Sequence, residues 1–253
     1  MFAGCAKKFV NVPVSEDFLQ KKGSRIGLVW TSIINNDYPE GPEYTAKHYL
    51  LGQQGLLDIA VSRSFSDKIS TALQKIKTNQ LMKIFYFDVF TRAFEDQGFI
   101  VKSKTDPYCF KKYRMGSNKY CDNPLTLKTV ELSTVTDSAF EMPLADRIYD
   151  FGPVISELGV DYVLAITLHR QGTGRSYYAI VPTSPPQGTT ILAAYLIEGN
   201  TQKIISKHIT SIVEPVIGEW DTPPDYENLM AASRRSFELA MDDVFISIFN
   251  RAP

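Results

Sequence analysis

One run constrains the fold more than any other: VDYVLAITLHRQ, Val160–Gln171, in which Tyr162, Val163, Leu164, Ala165, Ile166 and Leu168 form a nearly unbroken apolar segment. Six apolar residues with two β-branched members, following Gly159 and running into Gly172, read as a strand buried in a core. Whatever fold the chain adopts must supply neighbours to cover it.

The flanking sequence supplies them. RIGLVWTSI (25–33) is a second short apolar run, bounded by Gly23-Ser24 and Asn35-Asn36, and reads as another buried strand. Leu57, Val61, Phe65, Ile69, Leu73 and Ile76 recur three or four apart and make one helical stripe. LMKIFYFDVFTRAFEDQG predicts a second helix, facing inward with Leu81, Ile84, Phe87 or Val89, Phe90 and Phe94 and ending at Gly98, with the strand FIVKS directly after it. TLKTVELS (126–133) alternates as a strand should, whereas PLADRIYDFGPVISELG (143–159) reads mostly as a short helix closed by Gly159. ILAAYLIE and KIISKHITSIV form a hairpin about Gly199-Asn200-Thr201. From Asp225 to about Arg251, with Pro223 and Pro224 ahead of it, Leu229, Phe237, Leu239 or Met241, Val244 and Ile248 predict a long amphipathic helix across the sheet. Helices that pass into strands through a glycine predict an α/β layer: a mixed sheet flanked by helices, with a long C-terminal helix. No internal repeat is visible, so residues 25–253 are expected to form one domain, with an insertion near 105–125.

Composition removes some functions. With 27 Lys and Arg against 28 Asp and Glu, the formal net charge is -1, which offers no surplus of positive charge for nucleic-acid phosphates. No apolar run reaches the roughly 18 residues of a membrane-spanning helix. His48, His169 and His208 lie far apart without HExxH or CxxC spacing, and GxSxG is absent, so no metal, cofactor or catalytic residue is expected.

Three cysteines remain. Cys109 and Cys121 bracket a polar segment, CFKKYRMGSNKYC, with a turn at Gly116-Ser117-Asn118. In an oxidising compartment a disulfide there would stabilise the fold by about 3 kcal/mol; in a reducing one the pair would be free thiols. Cys5 closes the stretch Phe2-Ala3-Gly4-Cys5, which resembles the last four positions of a bacterial lipobox, whose Cys receives the lipid and becomes the first residue of the mature chain. A secretory signal needs an apolar h-region of about 7 to 15 residues. Only Met1 precedes the box here, so this reading places the start inside a longer frame and makes residues 1–24 a lipobox remnant and polar tether. Ala6, rather than Asp, follows Cys5, which in the enteric sorting rule implies the outer membrane.

The phrases FEDQGFIV, YDFGPVISELGVDYVLAITL and ILAAYLIEGNTQKIISKH, with the element order above, resemble the N-terminal domain of TolB and envelope lipoproteins such as CsgG and LpoB. The resemblance covers about residues 25–215 in outline and carries no functional motif. It implies an uncharacterised, non-catalytic lipoprotein on the periplasmic side of a bacterial membrane, palmitoylated at Cys5, which binds other envelope proteins and is compatible with homo-oligomers.

One loop stands out chemically. In QGTGRSYYAIVPTSPPQG, Gly172 and Gly174 could free backbone amides beside Arg175, a nest for an anion or the anchor of a soluble enzyme's site. Equally it is a simple strand connection. Tyr177 and Tyr178, next to a proline-stiffened segment, suit a protein interface, or else lie on two faces of a strand.

Overall fold

The computed structural model describes residues 11–32, 78–110, 124–125, 127–137, 142–174, 177–178, 181–182, 185–220 and 226–253. The predicted helical stripe of Leu57 to Ile76 lies outside them, as do Cys5, Cys121, His48, Arg175, Pro223 and Pro224.

The strands are β1 (Arg25–Ser32), β2 (Ile100–Phe110), β3 (Pro124–Leu125), β4 (Leu127–Asp137), β5 (Met142–Tyr149), β6 (Tyr162–Gly174), β7 (Tyr177–Tyr178), β8 (Val181–Pro182), β9 (Gln187–Glu198) and β10 (Ile204–Pro215). The helices are α1 (Glu16–Leu19), α2 (Thr78–Asp96), α3 (Gly152–Leu158) and α4 (Glu227–Phe249). Eight strands make one mixed sheet in the order β3-β2-β1-β6-β9-β10-β4-β5, and β7 and β8 pair separately. β1 runs parallel to both β2 and β6, while β6, β9 and β10 form an antiparallel meander.

β6 is central, as its apolar run requires. Its alternate residues feed two cores: Leu164, Ile166 and Leu168 face α2 and α4, and Val163 and Ala165 face α3. On the first face Trp30 of β1 sits between Phe87 of α2 and Phe237 of α4, with ring centroids 6.3 and 6.0 Å away. On the second, Val154 of α3 packs with Val163, Ile197 and Phe151.

Several local expectations differ from what packing selects. Residues 142–149 form β5, not the start of a helix. β5 is the last strand of the sheet, where Pro143 removes no bond that a further neighbour would need. The helix begins only at Gly152, whose amide donates to Asp150 Oδ1 at 3.0 Å, and it ends as expected on Gly159 in the left-handed region, φ 58°. β2 continues past FIVKS through Cys109; a register shift between Val29 and Thr31 in its pairing with β1 takes up the residues around Pro107. In α2 Phe87, Phe90 and Phe94 are buried, but Ile84 is 46% exposed. In α4 Met241 is buried while Leu239 is 44% exposed. The hairpin turn is wider than GNT: Gln202 takes the positive φ of 54°, and its amide donates to the Glu198 carbonyl at 2.8 Å.

Over residues 11–24 the expected tether belongs to the folded body. Ser15 caps α1 by accepting from the Phe18 amide, which drives Phe18 into the main core. Val12 makes an antiparallel bridge with Lys207 on the open side of β10, with N–O distances of 2.7 and 2.9 Å.

Candidate functional site

Two places bring chemistry-bearing side chains together. The first is a small pocket between β10 and α4, lined in part by Ser206, His208 and Ser247, with hardly more room than one water molecule. His208 and Ser206 share a strand face two residues apart; Asp243 and Ser247 share a helix face four apart. Asp243 Oδ2 lies 2.8 Å from His208 Nε2. A serine, a histidine and an aspartate in one place suggest acyl-transfer chemistry, but the hydroxyl protons are committed elsewhere. Ser206 donates to the Val12 carbonyl at 2.8 Å and Ser247 to the Val244 carbonyl at 2.7 Å. Neither hydroxyl proton is directed at the imidazole, as a nucleophile's must be. The cluster's evident action is to hold three segments: the N-terminal stretch, β10 and α4.

The second place is one end of the sheet. Here β6 and β9 run on together past the core, with Gly172 opposite Thr189 and Gly174 opposite Gln187. Arg175, the other part of the anion-nest reading of this loop, lies outside the described residues, while the two glycines extend a strand. Their partner strand explains why: β9 is pinned by α4 at this end. Gly188 lies under the helix so closely that a Cβ would stand 2.2 Å from the Ala232 carbonyl carbon, and Thr190 Oγ1 meets Ser236 Oγ at 2.8 Å. Fixing β9 fixes its neighbour, β6. Beyond Gly174, Tyr177 and Tyr178 form β7 against Val181 and Pro182, a small ribbon at the tip.

β10 reaches the same end. Glu214 pairs with Gly188, and the Val216 amide donates to the Pro186 carbonyl at 3.3 Å. The chain then turns through Val216–Trp220, where the Asn228 side chain of α4 donates to the Glu219 carbonyl at 2.6 Å. Two apolar side chains on this margin stay in solvent: Val213 is 50% exposed and Ile217 70%. Sequence reasoning missed both, since each sits in a run that reads as core strand or polar loop.

The opposite end of the sheet is closed by charge. Arg25 grips Asp161 through its backbone amide (2.9 Å), Nε (3.2 Å) and Nη2 (2.7 Å), and the Gly199 amide donates to the Asp161 carbonyl at 2.7 Å. The guanidinium hydrogen bonds hold the Asp161 carboxyl below its ordinary range. Among the described residues no group of His, Cys, Asp and Glu is placed to hold a metal ion, and no helix is long and apolar enough to cross a membrane. Cys109 stands in β2 opposite Pro124.

Comparison with known proteins gives no family: no family model and no curated protein matches the chain. Three solved structures align over most of their length. The hypothetical protein CT253 from Chlamydia trachomatis matches at 9% identity and TM-score 0.33, over 88% of this chain and 94% of that one. XCC0632 from Xanthomonas campestris, of the DUF330 family, matches at 12% and 0.36, over 96% and 94%. The lipoprotein GNA1162 from Neisseria meningitidis matches at 13% and 0.28, over 86% and 98%. TM-scores in this range leave the fold family and the function unassigned.

Proposed function

We propose that the protein is a lipoprotein of the bacterial cell envelope, anchored through Cys5, that works by binding other envelope proteins and not by catalysis. The observation that carries the reading is the way the chain enters its fold. The lipobox-like Phe2-Ala3-Gly4-Cys5 ends six residues before Asn11, where the chain is already fixed to the sheet: Asn11 Oδ1 accepts from the Ile209 amide at 3.0 Å, and Val12 is buried. An anchor at Cys5 would thus hold a structured body on a short lead. The small β7–β8 ribbon beyond the β6–β9 end, which carries Tyr177 and Tyr178, is the surface offered for protein binding, since extended strands and aromatic residues both supply contact area at small entropic cost. The likeness to the TolB N-terminal domain, CsgG and LpoB belongs to the same proposal, as does placement on the periplasmic side of the outer membrane. That compartment would also allow Cys109 and Cys121 to join.

The test is the mature N-terminus of the protein expressed from its own locus. Mass spectrometry of the membrane fraction should find Cys5 as the first residue, bearing diacylglycerol and an acyl chain, and a Cys5→Ala change should abolish both the lipid and the membrane association. An unmodified chain starting at Met1 in the soluble fraction would overturn the reading.

A further inference from the structure

We infer that the β10 margin from Ser211 to Ile217 lies against the lipid bilayer, so that the domain sits on the membrane in one orientation instead of swinging on its anchor. The inference rests on the lipid-anchor reading of Cys5 and adds a surface to it.

Two independent observations meet at this margin. The first is direction. Val12 pairs with Lys207 in antiparallel sense, so the chain reaches Val12 from the side on which β10 runs toward Pro215. Five residues, 6–10, lie between Cys5 and Asn11, and the six steps from one to the other span at most about 20 Å when fully extended. The six steps between the seven residues Lys207 to Val213 cover about the same distance along β10. A lipid at Cys5 therefore cannot place the bilayer farther from Asn11 than the end of β10 itself extends. The second is composition. At that end Val213 and Ile217 expose apolar side chains, and Ile217 has the most exposed large apolar side chain among the described residues. An interfacial apolar contact near a lipid anchor adds binding free energy to the buried acyl chains and removes the rotational freedom of the lead.

At the opposite end of the sheet Ile100 of β2 is 54% exposed, but it stands four strands from β10, away from the turn that joins β9 to β10. The turn after β9 carries Glu198, Asn200, Thr201 and Lys203, with Thr201 Oγ1 donating to Glu198 Oε2 at 2.8 Å, and exposes no large apolar side chain. It is the internal reference for the test.

The experiment supplies the anchor chemically, so its failure is separable from failure of native lipidation. The full chain with Cys109→Ser and Cys121→Ser is coupled through Cys5 to maleimide-bearing lipid in vesicles of phosphatidylethanolamine and phosphatidylglycerol, and amide exchange is followed by mass spectrometry. Coupling should slow exchange of peptides covering 209–220 at least about threefold relative to the uncoupled protein, while 199–203 is unchanged. Ile217→Asp in the coupled protein should restore the uncoupled rate. Equal exchange at 209–220 with and without the vesicle, or protection that appears first at 199–203, would overturn the orientation. If the double serine variant does not fold, a hexahistidine placed directly ahead of Cys5 in the otherwise unaltered chain, captured on nickel-chelating lipid in the same vesicles, reads the same two peptides. A soluble Cys5 with no native lipid, together with protection at 209–220 in these vesicles, would sink the lipoprotein reading and leave the surface assignment standing.

Discussion

The Ser206 hydroxyl donates to the carbonyl oxygen of Val12 across 2.8 Å, and this one buried bond ties residues 194 positions apart. Around it lie the two backbone bonds between Val12 and Lys207 and the Asn11 side chain on the Ile209 amide. The N-terminal stretch is therefore a sheet component. Val12→Ala, which removes apolar volume from a site only 3% exposed, should cost about 2 kcal/mol in denaturant unfolding. The amides of Lys207 and Ile209 should exchange faster in the same variant; unchanged protection would show that the stretch does not depend on Val12 for its docking.

Gly188→Ala tests the tightest backbone approach made by a glycine among the described residues. Its Cβ would meet Ala232 and Ser233 backbone atoms at 2.2 to 2.4 Å, and backbone cannot rotate away as a side-chain tip can. α4 must lift from β9, with an expected loss of about 3 kcal/mol and a lower thermal midpoint. A variant as stable as the parent would mean that the helix is seated elsewhere.

Tyr86 is a buried phenol that donates to Asp242 Oδ1 at 2.7 Å and lies 3.1 Å from the Glu238 carbonyl. Burial first, then the bond to Asp242, raises its pKa far above the ordinary 10.0. A raised folded-state value makes the neutral phenol's contribution complete below pH 10 and lost as pH climbs beyond it. Tyr86→Phe should cost about 1 to 2 kcal/mol near neutrality. It should also flatten the fall in stability above pH 10 measured by chemical denaturation; Tyr149, raised by its own burial, and Lys21, raised by its hydrogen bond to Tyr162, add to the slope that remains.

Asp161 has the opposite sign. Its folded-state pKa is lowered by Arg25, so its contribution is present above the ordinary 3.8 and disappears as pH drops through the lower folded value. Asp161→Asn should make acid unfolding less steep in that window and leave stability at pH 7 only slightly reduced, because solvent screens a pair this exposed. An acid midpoint and slope identical to the parent's would remove the pair from the stability balance.

What the sequence disclosed and what it concealed divide along a physical line. β1, β6, β9, β10 and α4 were legible because each writes its environment into its own residues: apolar runs in β1, β6 and β9, strand alternation beside a turn in β10, and Phe237, Met241, Val244 and Ile248 at helical spacing in α4. β5 was not, since PLADRIY becomes a strand through its pairing with β4, a partner that local pattern does not reveal. The same holds for Gly172 and Gly174, whose extended form is imposed by β9, held in turn by α4. The docking of the N-terminus left only a faint trace. Val12 and Phe18 are apolar points in a polar stretch, and Ser15 before Glu16 and Asp17 is a helix-start signal that could have been read. At the candidate surface, the chain direction set by Val12 and the exposure of Ile217 are both tertiary facts.

The bridge between Val12 and Lys207 also sets a schedule. A ribosome adding about 5 to 20 residues each second needs on the order of 10 to 40 seconds to travel from one partner to the other. Until β10 has been made, the seam has nothing to close against. The docking of Val12 is thus a late event of synthesis, and among the described elements only α4 is made after the strand that receives it.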